Sequence, residues 1–177
     1  MDLFDVHDIL DSFRVVVDNR EQMTPRAAHR LKAIEAPIER GTLNYGDYAA
    51  NVDIDGKPLL DTAETMRPGC VIERKMGLDE LAACLGRERA RFVREMERAK
   101  AEKAKVYLLV EDATWEKIIS HSYRSKLHPN AFMSSLIAFQ ARYNLTVVFC
   151  SQLTTGRLIR EILYREIKEV LENAGKQ

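Results

Sequence analysis

Glycine and proline are scarce in this 177-residue chain, with 8 and 5 copies, and no stretch concentrates them with serine. No linker, internal repeat or low-complexity tract divides the chain, so one domain over 1–177 is the economical expectation. Cysteine is scarcer still: Cys70, Cys84 and Cys150 are odd in number and lack CxxC spacing. That argues against a disulfide framework and a cysteine zinc site, and it fits a reducing cytoplasm. No apolar run approaches the roughly 18 residues of a membrane span, and the acidic start lacks the basic opening of a signal peptide. A cytoplasmic or nucleoid-associated protein, neither secreted nor membrane-bound, is expected. Net charge is absent as well, because 27 Lys and Arg balance 27 Asp and Glu. No whole-chain attraction to nucleic acid follows from that balance. A Walker A loop and a GxSxG elbow are also missing. The four histidines are scattered surface residues by pattern, and Trp115 reads as a packing residue on a short helix.

What is present is an ordinary globular composition, 46% hydrophobic and 31% charged, in a chain long enough to bury one substantial core. The charge is unevenly spread. Residues 1–12 hold Asp2, Asp5, Asp8 and Asp11 with no cation, an acidic N-terminal extension, whereas residues 87–105 carry eight basic and four acidic side chains.

Periodicity gives an α/β order. The β-branched run from Arg14 to Val17 reads as a buried strand ending in Asp18. Thr24-Pro25 reads as a cap and first turn of a helix that ends before Pro37. Ile38–Leu43 is a second strand, and Asp55-Gly56 marks a two-residue hairpin that returns the chain toward Val71–Lys75. These strands are expected to form a three-strand meander. A helical period then runs from Leu78 to Ala99 as one segment, followed by a strand at Val106–Val110. A helix from about Ala131 to Tyr143, a strand at 145–150 and a closing helix over 154–177 complete a mixed sheet flanked by helices.

"CVIERKMGLDE", at 70–80, places Glu73 and Lys75 on one face of a strand and Arg74 on the other. A carboxylate beside an ammonium is what metal-assisted phosphodiester hydrolysis uses: an oxygen for a hard cation and a cation to orient water or neutralise charge. One carboxylate makes a poor magnesium site, and Asp18, Glu21, Asp47 and Asp79 are the others that strand ends can supply. The plain alternatives are a solvated ion pair for Glu73 and Lys75, a turn for Asp47 beside Gly46, and a cap for Asp18.

Taken in order, "VVVDNRE" at 15–21, "GDY" at 46–48 and "VIERKMGLDEL" at 71–81 follow G-D-x(n)-E-R-K-x(3)-D preceded by V-D-x-R-E. This resembles the nuclease domain of the XPF-type structure-specific endonucleases, a branch of the restriction-enzyme-like PD-(D/E)xK superfamily. The resemblance runs from about residue 14 to at least "VYLLVED" at 106–112. It implies a restriction-endonuclease-like three-layer α/β fold and metal-dependent cleavage of branched, flap or fork DNA, leaving a 5′-phosphate and a 3′-hydroxyl. It also implies Asp47 and Glu73 as ligands of Mg²⁺ or Mn²⁺, with Asp18 and Glu21 adding to the acidic site directly or through water. Lys75 would activate water, Arg74 and Arg20 would hold carboxylates or phosphate, and Asp79 would orient the cluster. Three departures stand out: 25 residues separate Asp47 from Glu73, the family's Gly-Arg falls at either Gly86-Arg87 or Arg91, and no tandem helix-hairpin-helix domain is present.

Arg87, Arg91, Arg94 and Arg98 form a stripe opposite the apolar helix face. By composition that is a solvated surface; the resemblance turns it toward DNA phosphates. The polar loop at 120–130, with Arg124 and Lys126, is either a second DNA contact or a helix cap. The final amphipathic helix offers a surface for a homodimer or a heterologous partner. The rival reading is a catalytically silent DNA-binding or scaffold module of the same fold. Such modules lose members of the acidic set, and all six of Asp18, Glu21, Asp47, Glu73, Lys75 and Asp79 are present here. A restriction-like hydrolase acting on RNA or simple duplexes is the third reading.

Overall fold

The computed structural model describes residues 3–174, with side chains from residue 6 onward. Helix α1 (Leu3–Asp11) leads into strand β1 (Arg14–Asp18), whose Val15, Val16 and Val17 are wholly buried because both faces of the strand are covered. Thr24 caps helix α2 (Pro25–Lys32) by accepting from the Ala27 amide, with Pro25 in the first turn. Next come β2 (Ile38–Leu43), β3 (Tyr48–Asn51), the short pair β4 (Asp53–Ile54) and β5 (Lys57–Pro58), β6 (Thr65–Met66) and β7 (Cys70–Lys75). Helices α3 (Leu78–Leu85) and α4 (Arg89–Ala101), strand β8 (Lys105–Glu111), and helices α5 (Trp115–Ile119) and α6 (Pro129–Tyr143) follow. Strand β9 (Leu145–Cys150) and helix α7 (Thr155–Ala174) close the chain.

The sheet runs β6-β2-β1-β3-β7-β8-β9. Only β3 opposes the common strand direction, since every other adjacent pair is parallel. Helices α3 to α6 cover one face, over Val16, Val71 and Leu108; α1, α2 and α7 cover the other, over Val15, Val17, Ile72 and Leu109. This is the expected three-layer, mixed-sheet architecture. Because the strands share a direction, the C-terminal ends of β1, β7 and β8 meet at one edge, where open α/β sheets place their ligands. The reversed β3 brings its N-terminal end to the same edge, so Asp18, Asp47, Glu73, Lys75 and Glu111 all arrive there.

Several expectations need correction. The meander does not form. A strand-helix-strand unit pairs its strands in parallel, so β2 lies beside β1 and β3 takes β1's other side, between β1 and β7. The Asp55-Gly56 turn forms as expected, both residues at positive φ (52° and 72°). It closes a separate two-stranded ribbon, and the chain then pairs β6 with the outer strand β2 before crossing to β7. The helix expected over 78–99 is two helices, broken at Gly86–Glu88 where the backbone of Gly86 leaves the helical region. Residues 3–11 of the acidic extension are helix α1, with Val6 and Leu10 in the core against α7. The closing helix is described through Ala174; residues 1–2 and 175–177 of the expected segments lie outside the described residues. Trp115 packs edge-on against Phe149, 5.2 Å between ring centres, as expected of a packing residue.

Candidate active site

The loop from β2 to β3 crosses over the end of β1, and this crossing builds the site. The Asp18 amide donates to the Asp47 carbonyl and the Asp47 amide to the Ile72 carbonyl, which stitches the loop to β1 and β7. Gly46 makes the crossing feasible. Its φ is +75°, and a Cβ there would stand 2.7 Å from Cβ of Val71. Held so, Asp47 accepts from the Arg74 amide through Oδ2 at 2.8 Å, and the Gly46 amide donates to Glu95 of α4 at 3.1 Å.

Strand alternation sends Glu73 and Lys75 toward the α3–α4 layer, where Lys75 Nζ bonds Glu73 Oε1 at 2.5 Å and sits 5.5 Å above the Phe92 ring. Burial pushes the Glu73 carboxyl above its ordinary range even though Lys75 opposes the shift. Burial alone would lower Lys75, but Glu73 and Asp47 outweigh it and hold the ammonium charged. Asp47 is pushed up to about 8 by lost hydration and then by the Glu73 carboxylate. The two acids therefore resist sharing negative charge without a cation between them.

A cavity of about 220 Å³ opens here, lined by the carboxylates of Glu21, Asp47, Glu73, Glu80 and Glu95 and by the cations of Arg20, Arg74, Lys75 and Arg91. With all five ionised, the carboxylates outnumber the four cations, a surplus that a divalent cation would offset. Glu73 Oε2 is buried with no hydrogen-bond partner. An orphaned buried carboxylate oxygen beside a raised carboxyl fits a hard, oxygen-seeking ion such as Mg²⁺. Asp47 and Glu73 are the carboxylates that would hold it. Among the described residues no third carboxylate converges with those two; the one tight cluster of potential ligands is the exposed His7, Asp8 and Asp11.

Residues 17–161 match the ERCC4 domain family. The chain belongs to that family. Solved structures share the fold, two XPF structures among them. "XPF from Aeropyrum pernix" superposes with a TM-score of 0.61 at 18% identity, covering 93% of this chain and 70% of that one. "XPF from Aeropyrum pernix, complex with DNA" gives 0.60 at 20%, covering 88% and 65%. The chain thus spans about two thirds of each XPF chain. Among curated proteins, none matches it.

In this ERCC4 domain the expected site residues separate into distinct places. Asp47, Glu73, Lys75, Arg74, Arg20 and Glu21 line the cavity; Asp18 does not. Both Asp18 oxygens are already engaged: Oδ1 accepts from the Arg20 amide (2.8 Å) and Nε (2.6 Å), Oδ2 from Arg20 Nη2 (3.0 Å) and the Leu43 amide (2.8 Å). Burial opposes its ionisation, yet Arg20 and those amides hold it below the usual carboxylate range. Asp18 anchors Arg20 and β2, a different part from the expected metal contact. Asp79 is also elsewhere. It accepts from the Arg124 amide and Nε and the Ser125 amide, tying α3 to the 120–128 loop and not to the acids.

Of the arginine stripe, Arg91 reaches the cavity, and Arg98 donates to the Asn44 carbonyl on the crossing loop. Arg94 stays exposed on α4, and Arg87 leaves the stripe because it lies in the α3–α4 break. Arg89 stacks on Phe139 at 5.1 Å and donates to Leu85, away from the site.

Four contributors carry little or no signal in the sequence. Glu80 accepts from the Met76 amide at 2.7 Å, and Glu95 holds Gly46. Behind the sheet edge, Glu111 is wholly buried with Arg26, Arg30 and Arg74 around it, and Arg30 also holds Glu21 and donates to the Tyr48 hydroxyl at 2.8 Å. Arg30 carries the one usable signal: it lies one turn after Ala27 on the buried face of α2, where an arginine needs an acid.

The raised Asp47 carboxyl gives a stability prediction. The folded protein keeps a proton that the unfolded chain releases near 3.8, so metal-free stability falls as pH rises from about 4 to about 8. Asp47→Asn removes that loss and keeps an acceptor for the Arg74 amide. In EDTA the variant is expected to melt above the wild type by several degrees at pH 8, with the gap closing toward pH 5. A gap independent of pH would show that Asp47 carries no raised carboxyl.

Proposed function

We propose that this ERCC4 domain is a divalent-metal-dependent DNA endonuclease, acting on branched, flap or fork DNA. The observation that carries the reading is the orphaned Glu73 oxygen next to Asp47, with Lys75 locked beside it in a polar cavity at the common end of parallel strands. Mg²⁺ or Mn²⁺ held by Asp47 and Glu73 would supply Lewis acidity at the scissile phosphate and a more acidic bound water. Lys75, kept charged, positions the attacking water or neutralises charge growing on the phosphate. Arg74 faces the α2 layer at the cavity's rim, where Glu21 and Glu111 fix its direction. Arg20, fixed on Asp18, and Arg91 present guanidinium donors suited to phosphate oxygens. One structural neighbour is XPF in complex with DNA, which supports the substrate class.

The test is cleavage of end-labelled flap, fork, duplex and single-stranded DNA with Mg²⁺, Mn²⁺ or EDTA. Metal-dependent cleavage that favours flap or fork, with 5′-phosphate products, is expected. No cleavage of any substrate with either metal, by protein that is folded by circular dichroism, overturns the enzymatic reading and leaves a binding module.

A further inference from the structure

A second cavity, larger than the catalytic one at about 690 Å³, lies across α3 and is not used in the chemistry above. Its rim holds Arg87, Arg124 and Lys126, and its floor includes Ala82, Ala83 and Gly86, whose small or absent side chains keep it open. Asp79 is its sole carboxylate, and both Asp79 oxygens are engaged by the loop. The cations are differently placed. Arg124 Nε meets Asp79 at 3.0 Å and Arg87 Nε lies 3.6 Å from Glu88, yet these side chains are 92% and 82% exposed, and among the described residues Lys126 makes no ion pair. The surplus charge therefore faces the opening.

The loop that presents these cations is preset. Besides its three bonds to Asp79, the His121 ring meets the Ser125 carbonyl at 2.9 Å, and Tyr123 donates to the Leu127 carbonyl at 2.7 Å. The His128 ring then accepts from the Asn130 amide to start α6. Ordering is completed before any ligand arrives, which lowers the cost of binding. The two cavities are also neighbours along the chain. Asp79 lines this one and Glu80 the catalytic one, while Arg87 in the α3–α4 break and Arg91 in the first turn of α4 do the same.

Resting on the nuclease reading, we infer that this cavity is a strand-backbone subsite: Arg87, Arg124 and Lys126 receive phosphates of the DNA strand that continues past the cleaved bond, and Asp79 is the positioning residue that fixes the loop. Phosphodiester oxygens are the chemistry that three outward cations around an open, small-residue cleft recognise, and such contacts give affinity without reading sequence.

The experiment measures binding of a fluorescein-labelled fork with a 20-nucleotide single-stranded arm by anisotropy, in EDTA and over a salt series. Arg87→Ser with Lys126→Ser is expected to weaken binding on the order of tenfold or more, and to make the salt dependence shallower by about 1.4 in log–log slope for two lost single-strand contacts. The matched variant Lys32→Ser with Lys168→Ser, on the opposite helix layer, is expected to bind as the wild type does. Unchanged affinity and slope in the first variant, or an equal loss in the second, overturns the subsite. A wild type that binds no probe overturns this inference and the nuclease reading together. A wild type that binds through these residues yet cuts nothing overturns only the nuclease reading.

Discussion

Glu73→Gln and Lys75→Met are each expected to reduce cleavage by about a thousandfold or more, the scale on which a positioned proton-transfer or charge-stabilising group works. The first removes charge from the carboxylate bearing the orphaned oxygen, the second removes the buried ammonium locked to it. Stability should behave differently from activity. Each single variant strands a buried partner, whereas the double variant removes both, so the double is expected to be more stable than the sum of the singles predicts. Activity stays at the floor in all three. Cleavage rates within tenfold of wild type for either single variant, with Mg²⁺ or Mn²⁺, would remove these residues from the chemistry.

Glu111→Ala is expected to cost the most stability of any single change near the site, about 3–5 kcal/mol, because it leaves Arg30 and Arg74 with Glu21 as their one shared acid and Arg26 with only Asp112 at 3.9 Å. Glu111 has no exposed surface, and Arg26, Arg30 and Arg74 converge on it from α2 and β7. For a chain of this size that corresponds to a fall in melting temperature on the order of 10 °C. Cleavage should fall too, since Arg74 borders the cavity and Arg30 holds Glu21. A loss under about 1 kcal/mol by urea unfolding would mean the arginines find water or other acids, and that the cluster does not brace the site.

The parts of the fold legible in the sequence are those with strong local signals. The valine run of β1, Thr24-Pro25 at α2, Asp55-Gly56 in the ribbon and the alternation of Glu73, Arg74 and Lys75 each need only neighbours to be read. What stays hidden depends on contacts far apart in sequence. The place of β3 between β1 and β7 follows from the crossover that sends β2 to the far side, and periodicity carries no such information. The same limit applies to the site. Asp18 and Asp79 fit the motif by spacing; Arg20, two residues on, is a local partner of Asp18, but the Leu43 amide that also holds Asp18 and the 124–125 backbone that claims Asp79 are neighbours only in three dimensions. Glu111 reads as the end of an apolar strand because its three arginine partners lie 37 to 85 residues away.

The passage of residues 44–47 over the end of β1 also governs when the protein acquires its chemistry. Asp47 meets Glu73 only after β3 has closed on both β1 and β7, a non-local pairing whose loop entropy is met before any contact rewards it. A chain part-way through folding, with its helices and local turns in place, holds the acids apart. On the proposed nuclease reading such a chain would be chemically silent, and a polypeptide emerging beside nucleic acid would not cut until its central strand is in register.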